Sequence, residues 1–121
     1  WLDVMKHAAA DAGTLSYGDQ RRVEIARALA CQPQVLFLDE PAAGMNREET
    51  DALMEILRRL SADLGISVLL VDHDLELINQ LSDRIMVLNE GRMIAQGSPK
   101  EIRRNTAGIE AYLGTGRDNK I

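Results

Sequence analysis

The chain has 121 residues, 45% of them apolar and 27% charged, which is the globular range, with enough length for one domain and its core. No apolar run approaches the ~20 residues of a membrane-spanning helix, and a single cysteine, Cys31, excludes an internal disulfide framework and suits a reducing compartment. A net charge of −5 with only 3% aromatic residues leaves neither a basic footprint nor a stacking platform, so nucleic acid is not an expected partner.

The first residue is Trp1, and no cationic segment followed by a long apolar one opens the chain, so a secretory signal is not expected. The expectation is a chain cut from something longer. Residues 1–14 are weakly patterned; Leu2, Met5 and Ala9 can form one face of a helix end that Gly13-Thr14 closes. Residues 19–31 predict a helix, with Val23, Ile25, Ala26, Leu29 and Ala30 apolar and Arg21, Arg22 and Arg27 among them; Gln32-Pro33 stops it. Residues 35–38 are continuously apolar, as in a strand covered on both faces. A loop over 41–46 leads to a long amphipathic helix over 47–64, with Leu53, Ile56, Leu57, Leu60 and Leu64 at helical spacing and Gly65 as its cap.

Residues 66–71 predict a second buried strand, and 74–81 a short helix with Leu75, Ile78 and Leu81 inward. Residues 84–88 and 92–96 read as two strands around the hairpin turn Asn89-Glu90-Gly91. Ser98-Pro99-Lys100-Glu101 is a capping-box pattern with proline at the first helical position. A helical region interrupted near 105–108 runs to about Leu113, and 114–121 reads as a frayed tail.

Strand, helix, strand, helix, strand is the order of an α/β fold with a parallel sheet, and the closing hairpin suggests a mixed edge. In such sheets ligands sit beyond the carboxyl ends of the strands. Asp39-Glu40 and Asp72-His73 follow two successive core strands, so both pairs should face one crevice. Adjacent strand residues point opposite ways, so the two carboxylates of Asp39-Glu40 are suited to different tasks. One can hold magnesium and the other can polarise a water. The alternative, two solvated acids in a turn, fits poorly between four apolar residues and a proline.

Leu15-Ser16-Tyr17-Gly18-Asp19-Gln20 places a hydroxyl and a glycine at a helix N-terminus, where free N–H groups and the helix dipole favour an anion. A serine cap with a glycine turn would explain the run taken alone. Followed by Val35-Leu36-Phe37-Leu38-Asp39-Glu40-Pro41, it resembles the signature motif and Walker B strand of the ATP-binding subunits of ABC transporters. The usual LSGGQ form is altered, with Tyr17 for the first glycine and Asp19 for the glutamine. No G-x-x-x-x-G-K-[ST] phosphate loop occurs in the 121 residues. Ala43-Gly44-Met45-Asn46 occupies the place of the family's D-loop, with Asn46 for aspartate; Asn46 can equally be a helix cap. His73, in Val71-Asp72-His73-Asp74, matches the switch histidine. His7 has no such setting and reads as surface, and Cys31 as a small packing residue.

The resemblance implies an ABC-ATPase fold, P-loop-NTPase-like, without its Walker A half: residues 1–14 the end of the helical subdomain, 15–104 the C-terminal part of the ATPase domain, and 105–121 a family-specific tail. It implies ATP and magnesium as cofactors. Asp39 would be the magnesium residue, Glu40 the general base, and His73 a ligand of the γ-phosphate that orients the water. Leu15, Ser16, Tyr17, Gly18, Asp19, Gln20 and Asn46 would be the nucleotide-facing positions contributed across a dimer. A second ATPase subunit and membrane permease subunits are the implied partners, and the inner face of the cell membrane the implied place. Residues 89–99 resemble the family's C-terminal hairpin and capped helix, and the ending Ile109-Glu110-Ala111-Tyr112-Leu113-Gly114, the Tyr17 form of the signature and the run from Glu40 to Asn46 are similar to ATPases of branched-chain amino acid importers. Lipopolysaccharide-export and urea-import ATPases share much of the pattern. An ATPase of the chromosome-maintenance type fits the acidic balance poorly. Glu40 and His73 argue against a non-enzymatic module with relic carboxylates, while the missing phosphate loop makes an inactive interaction fragment the expectation for these 121 residues alone.

Overall fold

Helix ends fix the layout of this chain. The computed structural model describes residues 2–105; the expectations for the interrupted helix beyond 105 and for the tail lie outside them. Helix α1 spans Tyr17–Leu29. It begins before the apolar pattern does because Ser16 is extended and its Oγ accepts the Asp19 N–H at 3.1 Å. It ends ahead of Gln32, whose φ of +52 lies outside the right-handed helical region, and of Pro33, which has no N–H to continue the helix. Helix α2, Arg47–Leu64, carries a full capping box: Asn46 Oδ1 accepts the Glu49 N–H at 2.9 Å, and Glu49 Oε2 accepts the Asn46 N–H at 3.1 Å. Gly65 closes it in the left-handed conformation.

The chain divides into two compact units, Trp1–His73 and Asp74–Ile121. In the first, β1 (Val35–Asp39) pairs in parallel with β2 (Ser67–Val71), from Val35 opposite Ser67 to Asp39 opposite Val71. Helix α2 is the crossover between them and packs on β2, and α1 packs on α2. Ile25 and Leu60, 1% and 0% exposed, sit at the centre with Leu36, Leu38 and Leu57. The expectation of strands covered on both faces is not met. Leu36 and Leu38 are buried, but Val35 and Phe37 are 46% and 71% exposed, and Leu69, opposite Phe37, is 41% exposed. The pleat sends alternate side chains to opposite faces, and in the described residues one face is packed. Leu64, expected inward, is exposed at the end of α2.

The opening segment also departs from expectation. Residues 5–7 and 12–14 form two short 3-10 turns rather than a helix end. Asp11 is one reason: its carboxylate accepts the Gly13 N–H at 3.0 Å, a local bond that competes with continued helix. Leu2 is buried and Met5 exposed.

In the second unit, α3 (Leu75–Leu81) is capped by Asp74, whose carboxylate accepts from the Glu76 and Leu77 N–H groups. Leu77 is its buried residue, and Leu75, expected inward, is exposed. Strands β3 (Ile85–Asn89) and β4 (Arg92–Gly97) form an antiparallel hairpin. Its turn, Glu90-Gly91, has both φ values positive, as a type I′ turn requires. A bulge at Val87/Leu88 shifts the register. Helix α4 (Pro99–Arg104) buries Ile102 against Ile85, with Ile78, Val87 and Ala95 around them. The expected mixed edge is replaced: among the described residues the hairpin is a sheet of its own, because its partner strand is reached locally through the turn. No helix among them is long and apolar enough to cross a membrane.

Helix α4 carries a pH dependence. Glu101 Oε2 accepts the Ser98 N–H at 2.7 Å. The Ser98 backbone N–H, with its hydroxyl, holds the Glu101 carboxyl below the usual carboxylate range. A depressed folded-state pKa gives support that is complete above the unfolded value and lost as pH falls through the folded one. The helical chemical shifts of residues 100–103 should therefore persist as pH falls to the ordinary glutamate value of about 4.3 and fade only below it. Fading above that value would contradict the box.

Candidate functional site

The site is built at the carboxyl ends of β1 and β2. The ladder extends one bond past β1, where the Glu40 N–H donates to the Val71 carbonyl at 2.7 Å. Glu40 then leaves the strand with φ +44. On the other strand, the Asp72 side chain is 7% exposed and its Oδ1 accepts the His73 N–H at 2.8 Å. These two turns bring His73 Nδ1 to 3.0 Å from Glu40 Oε1. A carboxylate oxygen only accepts, so Nδ1 carries the hydrogen and Nε2 is the nitrogen left for another partner. The His73 side chain is 85% exposed and that of Glu40 52%. Asp39 ends β1 directly before Glu40 and is exposed.

Stability does not account for this pair. An exposed ion pair contributes at most about 1 kcal/mol. A non-glycine residue in the left-handed region costs about 1–3 kcal/mol. The left-handed backbone at Glu40 is therefore a cost to folding that the ion pair does not offset.

The second group lies at the N-termini of α1 and α2. Ser16 caps α1 and Asn46 caps α2, so the plain capping role of each is observed. Gln20 Nε2 donates to the Leu15 carbonyl at 3.1 Å, which closes the turn on itself. Gly18 serves a close approach between helices: a methyl group there would stand 3.2 Å from Glu49 Cγ. Arg21 Nε donates to the Pro41 carbonyl at 3.0 Å and so links this group to the residue after Glu40. Asp19 faces His7, whose Nε2 lies 3.2 Å from Asp19 Oδ2; the His7 side chain is only 20% exposed, not the surface residue expected. Nothing in the linear sequence marks that pair, or the role of Glu49. Arg21 could have been found by its helical spacing from Tyr17, which puts both on one face.

Among the described residues no three His, Cys, Asp or Glu side chains are grouped to hold a metal by themselves. A lone exposed carboxylate such as Asp39 suits magnesium, which keeps several waters and takes further oxygens from a bound phosphate.

The chain has relatives among known proteins. The family model described as ABC transporter matches residues 2–43. The model described as branched-chain amino acid ATP-binding cassette transporter matches residues 92–118. The high-affinity branched-chain amino acid transport ATP-binding protein LivG of Salmonella typhimurium is 48% identical over 117 residues, which are 94% of this chain and 46% of that protein. The chain thus spans about half the length of the curated relatives it matches. A solved ATP-binding cassette of an ABC transporter superposes with a TM-score of 0.79 at 29% identity, over 93% of this chain and 46% of that one. A dimeric ATP-binding cassette in a post-hydrolysis state bound to ADP and Pi does so with a TM-score of 0.70 at 28% identity, over 81% and 44%.

The exposure of the Glu40–His73 pair makes a prediction. His73→Ala should leave the folding stability within about 1 kcal/mol of the unaltered chain by urea denaturation. A larger loss would make the contact a structural one.

Proposed function

We propose, for a chain that belongs to the ATP-binding family of ABC transporters, that it carries the signature turn and the hydrolytic residues of an ATPase subunit powering an importer of branched-chain amino acids. The convergence of Asp39, Glu40 and His73 at the ends of two parallel strands carries this reading. The printed role of LivG and the match over residues 92–118 support the choice of solute.

Each residue has a distinct task. Glu40 is the general base: its carboxylate accepts the proton of the attacking water, and a pre-placed acceptor avoids the cost of orienting one. His73, steadied through Nδ1 by Glu40, donates from Nε2 to the terminal phosphate in the form that carries a hydrogen on both ring nitrogens, the one form in which both are donors. Asp39 would hold magnesium, which when bound would neutralise charge developing on the phosphate oxygens. Ser16 accepts a backbone N–H and still has its own hydroxyl proton to give to an anion. The first turn of α1, with Leu15, Tyr17, Gly18, Asp19 and Gln20, adds its free N–H groups and dipole. Asn46 anchors the loop after Glu40.

The dimeric cassette bound to ADP and Pi supports a composite arrangement, in which the signature turn of one subunit faces nucleotide held by another. In this reading residues 15–104 are the C-terminal part of the ATPase domain and 105–121 the tail. The partners are a second ATPase subunit and membrane permease subunits, which hold the assembly at the inner face of the membrane. These 121 residues contain no G-x-x-x-x-G-K-[ST] loop, so the lysine and backbone cradle for the phosphates come from elsewhere.

Two measurements test this. In an ATPase that carries these residues together with a phosphate loop, Glu40→Gln should lower kcat by about a hundredfold or more; an unchanged rate would remove Glu40 from the chemistry. The purified 121-residue chain should show no sustained magnesium-dependent hydrolysis, and steady turnover by it would refute the composite site.

A further inference from the structure

Two residues in the first two turns of α1, Arg21 and Tyr17, touch the segment that leaves Glu40, and a third, Gly18, meets α2 just beyond it. Arg21 Nε donates to the Pro41 carbonyl at 3.0 Å. Gly18 admits the Glu49 side chain, with a methyl group there standing 3.2 Å from Glu49 Cγ. Gly44 has φ +78, and a methyl group on it would stand 3.4 Å from both Cδ2 and Cε2 of Tyr17. The tyrosine ring therefore lies over the Gly44 backbone. Tyr17 and Arg21 are one helical turn apart, so the two grips act side by side.

Both ends of that segment are fixed independently. Pro41 is fully buried, and Asn46 is locked by the capping box of α2. The middle has little of its own: the Ala43 N–H donates to the Glu40 carbonyl and the Met45 N–H to the Ala42 carbonyl, each at 3.1 Å. Two turn bonds near the surface open readily. At the head of this loop Glu40 sits at φ +44, a conformation that persists only where the surroundings over-determine it. Tyr17 is itself 64% exposed, so its ring adds little to the core and gives one face to the loop.

We propose that Tyr17 is a positioning residue. Its ring, seated on Gly44, fixes the course of residues 41–46 and thereby holds Glu40 in its left-handed conformation, with the carboxylate on His73. The hydroxyl plays no part, since the contact is made by ring carbons. This assigns the tyrosine that stands at a glycine position of the signature turn to the loop behind it. The bearing on hydrolysis rests on the ATPase reading above; the bearing on the loop does not.

The test uses the full 121-residue chain and needs no nucleotide. In the unaltered chain, nuclear Overhauser contacts should join the Tyr17 ring protons to the Gly44 α-protons; their absence would overturn the proposal without any variant. In Tyr17→Ala, amide hydrogen exchange at Ala43 and Met45 should rise about tenfold or more, while Leu36 and Leu38 in β1 exchange as before. Tyr17→Phe should restore slow exchange. Unchanged exchange in Tyr17→Ala, or a phenylalanine variant that behaves like alanine, would each refute the role. In the ATPase with its phosphate loop, Tyr17→Ala should lower kcat about tenfold with KM within about twofold. A KM effect alone would make Tyr17 a nucleotide contact instead. Failure of the parent enzyme to hydrolyse ATP would count against the functional reading and leave the loop measurements standing.

Discussion

The parallel register of β1 on β2 is the constraint on which the rest depends. It aligns Asp39 with Val71 and lets the Glu40 N–H find the Val71 carbonyl. Parallel strands cannot be joined by a tight turn, so the register is enforced through α2, with a capping box at its start and a left-handed glycine at its end. A slip of one residue would exchange the two faces of the strand. Leu36 and Leu38 would then be exposed, Phe37 would enter the core, and the Glu40 carboxylate would no longer meet His73. Burial of the leucines and placement of the chemistry are thus secured by the same pairing.

The junction between the N-termini of α1 and α2 shows a different economy. Each cap is worth about 1 kcal/mol in ordinary helices, and that structural role is visible for Ser16 and Asn46. The same residues stand where an anion would meet a helix dipole. Gly18 likewise has a plain steric reason to be glycine, the approach of Glu49. A structural explanation therefore does not compete with a functional one here. The need to bring two helix ends close together leaves small and capping residues at the point where N–H groups are free.

Much of this was legible in the sequence where the signal is local. The Asn89-Glu90-Gly91 turn, the Ser98–Glu101 box, the Gly65 cap and the extent of α2 follow from residue chemistry within a few positions. The convergence of Glu40 and His73 was legible too, because strand ends in a parallel pair share an edge. What was not legible depends on distant partners. The pairing of His7 with Asp19 spans two segments with no common motif. Leu77 is buried and Leu75, expected inward, is exposed, because a seven-residue helix has too few turns to declare its inner face. Continuous apolar runs hid the fact that Phe37 and Leu69 lie on an exposed face, since an all-apolar strand carries no alternation to read.

The left-handed backbone of Glu40 has a consequence for how such a chain can change over generations. A residue at φ +44 is a position where asparagine or glycine would relieve strain, and random substitution followed by selection for foldability alone would drift toward them. Either replacement removes the carboxylate. On the proposed reading of Glu40 as the general base, the most accessible route to a sturdier protein at this position is also a route to an inert one, and only selection for turnover opposes it.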